Sequence, residues 1–156
     1  MKILGIDPGI GRLGWGIVSH DKGVDSYIDS GCFETQANSD LPERLLKIHD
    51  FIQNLINLHT PDALAVESLF FEKNVKTAID VAAARGVILL VGQQSGLAIS
   101  QYTPLQVKSS LTGYGQAEKS QVEFMVGKIL HLKEKIKPDD AADAVAIALT
   151  HAFRVR

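Results

Sequence analysis

Ile3-Leu4-Gly5-Ile6-Asp7-Pro8-Gly9 is an apolar, strand-like run that ends in a single carboxylate just ahead of a Pro-Gly turn. A charge leaving water at a strand end needs a cation or several donors, because an unpaired buried charge costs several kcal/mol or is neutralised by a shift in its pKa. No Lys or Arg stands within four residues of Asp7, and Lys2 lies at the far end of the run. A cap on the Pro8-Gly9 turn is the plainer role for the same carboxylate. The pattern recurs, however: Ala63-Leu64-Ala65-Val66 ends in Glu67, and Asp140 and Asp143 stand at the opening of the apolar segment that runs to Leu149. Four acids in apolar settings are expected to share one site.

Outward from this run, residues 2 to 7, Leu13 to Val18 and Val24 to Phe33 read as three strands, joined by turns at Pro8-Gly9 and Asp21-Lys22-Gly23 into an antiparallel meander. Asp40-Leu41-Pro42-Glu43 is a helix start, with an acidic N-cap, an early proline and Glu43 placed as in a capping box. Leu45, Ile48, Ile52, Leu55 and Ile56 then recur at helical spacing, and Thr60-Pro61-Asp62 stops the helix. Ala63 to Val66 is a short apolar strand of the kind buried in a parallel arrangement. A long helix rich in small residues is expected from Asn74 to about Val91, a strand over Leu97 to Tyr102, and a short helix from Pro104 to the turn Thr112-Gly113-Tyr114-Gly115. Two further helices are expected, over about Ala117 to Leu130 and Asp139 to His151. This order, with a mixed α/β sheet of five strands flanked by helices, is that of ribonuclease H-like domains.

The 156 residues suit one domain, taken as 1–156, and no apolar run reaches the roughly 18 residues that a membrane span requires. The chain passes from Met-Lys straight into strand pattern, and Cys32 is its only cysteine, so no secretory leader and a cytoplasmic location are expected. A net charge of −2 argues at first against a nucleic-acid partner. Residues 61–156 carry 11 Lys and Arg against 10 Asp and Glu, and setting Glu67, Asp140 and Asp143 aside as metal ligands leaves a local excess of basic charge.

Two Mg²⁺ ions roughly 3.5–4 Å apart stabilise both the attacking and the leaving oxygen of a phosphodiester displacement. Such ions take hard oxygen ligands and keep several waters, so a few Asp and Glu from separate elements suffice. Asp140 and Asp143, three apart on a helix, share a face. Acids in a first helical turn also complement the helix dipole, which accounts for Asp139 as an N-cap and for Asp140 tolerably. It accounts poorly for Asp143, which precedes the all-apolar Ala144-Val145-Ala146-Ile147-Ala148-Leu149.

With their neighbours, these acids make the chain resemble the RuvC family of Holliday-junction resolvases almost end to end. The segments are Ile3 to Gly9 with Gly14-Trp15-Gly16, Val66-Glu67-Ser68-Leu69-Phe70, Ala84-Arg85-Gly86-Val87, Gln106-Val107-Lys108, Ala117 to Val122 and Asp140-Ala141-Ala142-Asp143-Ala144. The resemblance implies that Asp7, Glu67, Asp140 and Asp143 are catalytic, metal-binding carboxylates for two Mg²⁺ per site, with Mn²⁺ able to substitute. It implies a homodimer that nicks a four-way DNA junction symmetrically, leaving 5′-phosphate and 3′-hydroxyl ends, in partnership with the RuvA and RuvB branch-migration proteins. Phe70 matches the family's aromatic at the junction centre, where stacking on an unpaired base is worth roughly 1–3 kcal/mol; Phe71 stands where a Met is expected. Lys108 and Lys119 match basic residues near the acids, and Lys73, Lys76 and Arg85 are candidates for backbone phosphates.

Other features divide between readings. Val75, Ile79, Ala82, Ala83, Gly86, Val87 and Leu90 form a stripe that either packs on the sheet or admits a second copy of the helix. Gly113-Tyr114-Gly115 is either a DNA-contacting loop or a turn between helices. The five histidines are scattered and form no ligand pattern. The alternatives to a junction nuclease are a non-catalytic junction-binding module, a ribonuclease H acting on RNA–DNA hybrids, and an actin-like phosphotransferase, for which one domain is too few.

Overall fold

The computed structural model of the chain describes residues 1–68 and 75–155. Strands β1 (Lys2–Asp7), β2 (Arg12–Asp21), β3 (Val24–Glu34), β4 (Ala63–Glu67) and β5 (Ala98–Tyr102) form one sheet in the order β3-β2-β1-β4-β5. β1, β2 and β3 pair antiparallel, and β1, β4 and β5 pair parallel, as the sequence reading expects. The hairpin is longer than its apolar alternation suggests. Ser19, His20 and Asp21 continue the pairing with β3 beyond the core, and Lys22 and Gly23 close it with both residues at positive φ, as a two-residue hairpin turn of this twist requires.

Helix α1 (Leu41–His59) starts at Asp40, whose carboxylate accepts from the Glu43 amide. Glu43 turns its side chain to Lys47 at 2.6 Å. α2 (Val75–Gln94) runs past Val91 and buries Ala84, Ile88 and Val91, while Val75, Ile79 and Leu90 face outward. α3 (Pro104–Thr112) opens on a reciprocal capping box between Thr103 and Gln106, and α4 (Lys119–Ile129) on Glu118, whose amide donates to Gln121 Oε1 at 2.8 Å. α5 (Asp139–Arg154) corrects one expectation: Asp139 is its first residue, not its N-cap. The carbonyl of Pro138 takes the first helical bonds, from the Ala141 and Ala142 amides.

The sheet separates two apolar layers. Leu4, Ile6, Leu13, Ile17, Leu64 and Val66 pack against α1 and α2, whereas Ile3, Val18 and Ala65 face α3, α4 and α5. α5 is buried along nearly its whole length, as its unbroken apolar run predicts. Side chains alternate along a strand. Since Leu4 and Ile6 point to the α1 side, Asp7 at the next position points to the α5 side. The same parity on β4, from Val66, puts Glu67 on the α5 side. Ile6 and Val66 are partners in the parallel register, so the two acids stand next to each other at the carboxyl ends of adjacent strands. Among the described residues no helix is long and apolar enough to cross a membrane.

Candidate active site

The helix-borne acids reach the strand-borne ones because α5 lies unusually close to the sheet. A Cβ on Gly5 would stand 2.1 Å from the Ala144 carbonyl oxygen, one on Gly14 2.0 Å from that of Asp140, and one on Gly16 2.5 Å from Val145 Cγ2. No side chain fits between this helix and β1 or β2 at those points. Three missing side chains thus set the height of Asp140 and Asp143 over the strand ends. Gly14-Trp15-Gly16, a segment of the family resemblance, has its physical meaning here.

Asp7, Glu67 and Asp143 line a cleft of about 290 Å³ together with Lys108 from α3 and Lys119 from α4, and its apolar wall includes Val107, Val122 and Ile147. Burial, followed by the charges of Glu67, Asp143 and Asp140, pushes Asp7 from the usual 3.8 up to about 8. Its hydrogen bond with Glu67 raises Asp7 and lowers Glu67, as when Asp7 holds the proton and Glu67 accepts it. Glu67 is nonetheless raised, by burial and by Asp143, against the pull of Lys119. Asp143 is raised by burial, which outweighs the bond from Lys119. Lys119 Nζ donates to Asp143 at 2.8 Å and lies 3.4 Å from Asp139. Burial works to lower that ammonium, and its acidic partners raise it on balance.

Asp140 is close enough for its charge to bear on Asp7, but its carboxylate does not line the cleft. It accepts from Arg12 Nε at 3.1 Å, and Arg12 Nη2 lies 3.0 Å away from the same oxygen. Arg12 is the residue the sequence reading missed. It stands five places after Asp7 and two before Gly14, and no local signal marks it, since a cation opening a strand takes its meaning from the helix packed over it.

As they stand, no three His, Cys, Asp or Glu among the described residues are grouped so as to hold an ion. Each of the four acids is engaged elsewhere, Asp7 with Glu67, Asp143 with Lys119 and Asp140 with Arg12. The donor set still fits a hard divalent cation: it is all carboxylate oxygen, and Mg²⁺ is commonly held by one or two carboxylates, with water and substrate phosphate completing the shell. The shift of Asp7 to about 8 records the same fact from the other side, a crowd of buried negative charge with too little cation.

Arg85 Nε donates to the Glu67 carbonyl at 3.2 Å, and its guanidinium also bonds Gln101, so it braces the ends of β4 and β5. Thr112 Oγ1 ties both the amide and the carbonyl of Tyr114, which makes Gly113-Tyr114-Gly115 a built turn with an exposed ring. His151 is buried and bonded to Tyr102 Oη at 2.8 Å, in keeping with a structural role. Phe70, Phe71 and Lys73 lie outside the described residues, as does the side chain of Lys76 on α2.

Residues 3–151 match the family model described as crossover junction endodeoxyribonuclease RuvC. Among curated proteins, the crossover junction endodeoxyribonuclease RuvC of Halothermothrix orenii is 50% identical over 156 residues, covering 100% of this chain and 94% of that protein. The protein of the same name from Fusobacterium nucleatum is 50% identical over 97% of this chain and 80% of its own length. Among solved structures, Thermus thermophilus RuvC in complex with a Holliday junction substrate superposes with a TM-score of 0.95 at 38% identity, covering 100% of this chain and 95% of that one.

Proposed function

The chain belongs to the RuvC family of crossover junction endodeoxyribonucleases, and on that premise we propose that it resolves four-way DNA junctions by paired, symmetric phosphodiester hydrolysis during recombination and repair. The observation that carries this reading is the single cleft in which two strand-end carboxylates, a helix-borne carboxylate and two lysines meet. Asp7, Glu67, Asp140 and Asp143 would hold two divalent cations, Mg²⁺ by the hardness of the donors, with Mn²⁺ as a substitute. Bound there, the cations supply Lewis-acid stabilisation to the oxygens that gain charge. Lys119, already within reach of Asp143, and Lys108 on the same wall are suited to the scissile phosphate, whose charge they would offset as it grows. The apolar wall of Val107, Val122 and Ile147 keeps that charge in a medium where each donor counts for more.

Two symmetric nicks need two sites. The outward Val75, Ile79 and Leu90 of α2 are an apolar face of the kind a second copy would cover, so the active species in this reading is a homodimer matched to a two-fold substrate. The whole of 1–156 acts as one nuclease domain. Phe70 stacks at the junction centre, and Lys73, Lys76 and Arg85 supply backbone contacts, Arg85 doing so while it braces Glu67. RuvA and RuvB are the partners that the family resemblance implies, in the cytoplasm.

The test is to incubate the protein with Mg²⁺ and, separately, a four-way junction, a linear duplex of the same sequence and an RNA–DNA hybrid. Symmetric nicks in the junction alone, with 5′-phosphate ends that ligase rejoins, are expected. A junction bound but left whole would reduce the chain to a binding module, and cleavage of the hybrid alone would make it a ribonuclease H.

A further inference from the structure

Arg12 opens β2 on the α5 side of the sheet, directly across from Glu34 on β3. Its guanidinium is held at both ends. Nε and Nη2 converge on Oδ2 of Asp140 at 3.1 and 3.0 Å, and Nη1 lies 3.0 Å from Glu34 Oε1. Gly14, two residues along the strand, brings the first turn of α5 down to where this fork can reach it.

We propose that Arg12, steadied by Glu34, is a positioning residue for Asp140: it fixes the carboxylate by one oxygen and leaves Oδ1 to a divalent cation. The proposal rests on the reading of Asp140 as a cation ligand, and it deepens that reading by assigning what holds the ligand still. Asp140 is the one acid of the four that does not line the cleft, so it depends most on an outside group for its orientation. Two guanidinium nitrogens on one carboxylate oxygen, with the third turned to Glu34, hold that oxygen in a fixed plane, which a single lysine ammonium does not do. Stability alone is a poor account of the cluster. Arg12 and Glu34 keep 51% and 63% of their side chains exposed, and ion pairs that open to water add little to folding. Groups that hold a metal ligand in place commonly change metal affinity by about 10–100-fold when removed.

The experiment titrates Mn²⁺ into the full-length protein and reads free Mn²⁺ by electron paramagnetic resonance, for wild type, Arg12→Ala, Arg12→Lys and Glu34→Gln. Arg12→Ala is expected to weaken Mn²⁺ by about ten-fold or more, and Glu34→Gln to move it the same way by less. Arg12→Lys, which folds with the same charge, is expected to recover only part of the loss. The Mg²⁺ midpoint for junction cleavage should rise by the same factor, while junction affinity in EDTA stays as in wild type. Mn²⁺ affinity that is unchanged or tighter in Arg12→Ala would overturn the proposal, the second result by showing that the guanidinium competes with the cation. Junction affinity lost in EDTA with Mn²⁺ affinity intact would overturn it too, in favour of a phosphate contact. Wild-type protein that binds Mn²⁺ but leaves junctions whole would overturn the nuclease reading instead, and the ratio of Mn²⁺ affinities would still decide the role of Arg12.

Discussion

Asp7 and Glu67 sit at the ends of strands; Asp140 and Asp143 sit at the start of a helix. The strand pair is fixed by register, since Ile6 and Val66 stand opposite each other in the parallel pairing and the next residue on each strand has no freedom to face the other way. Among the described residues it makes no ion pair, feels Lys119 only through its pull on Glu67, and shares a hydrogen bond instead. The helix pair is fixed by packing, through glycines that admit α5 to the sheet, and each of its acids has a cation in direct contact, Arg12 or Lys119. The contrast shows a division of labour. The buried strand pair supplies the need for positive charge, and the more exposed helix pair is held in place by the cations beside it.

Asp7→Asn breaks the strand half of the comparison and carries the largest expected effect. The amide keeps the shape and a hydrogen bond to Glu67 but deletes the charge on which a cation would depend. Junction cleavage in Mg²⁺ is expected to fall by roughly 10³-fold or more, corresponding to about 4 kcal/mol of lost transition-state stabilisation. Junction binding in a gel shift should hold. Parallel loss of binding and cleavage would show that Asp7 supports the fold of the binding surface instead.

Gly14→Ala attacks the helix half. Its new Cβ meets the Asp140 carbonyl at 2.0 Å, backbone against side chain, so α5 must lift or β2 must bend. Overpacking of this kind costs about 1–3 kcal/mol, and the denaturant midpoint should drop accordingly. Gly127→Ala on α4 is the control: nothing lies within 4 Å of its would-be Cβ, and a helical Gly→Ala change is expected to stabilise by up to about 1 kcal/mol. If both substitutions behave alike, the close approach of α5 has no energetic consequence.

The same contrast explains what could be read in the chain beforehand. Asp7 and Glu67 were legible because a strand states its own register: an apolar run ending in an acid, seen twice, already implies neighbours on one edge. Asp143 was legible because no acid belongs ahead of a helix that is apolar all round. Arg12 was not, because its meaning comes from α5, 128 residues away in sequence, and a cation at a strand start is unremarkable until something acidic is packed over it. The glycines of β1 and β2 carry no visible reason in the sequence, since an absent side chain is informative only when the neighbour that fills the space is known. The start of α5 was misjudged by one position for a local cause: Asp139 is a good N-cap by type, but the Pro138 carbonyl is the one that takes the first helical bonds.

The smallest effect sharpens the comparison through pH. Asp7 titrates near 8 in the folded chain against an ordinary 3.8. Below about 4 both folded and unfolded chains hold the proton, so the group has no influence on the balance between them. Between these values the folded chain keeps a proton that the unfolded chain has released, so unfolding gains ground as pH rises, and the trend levels off above about 8. Metal-free protein should therefore lose thermal stability from Asp7 across that window, and Asp7→Asn, which has nothing to ionise, should melt a few degrees higher at pH 8, at roughly 2–4 °C per kcal/mol for a chain of this size. The advantage should narrow at pH 5. Millimolar Mg²⁺ should erase it in the wild type by supplying the missing charge, because a ligand that binds only the folded state stabilises it. Melting curves of wild type and variant that stay parallel from pH 5 to 8 in EDTA would mean that the strand pair is no more starved of cation than the helix pair, and the division of labour would fail with it.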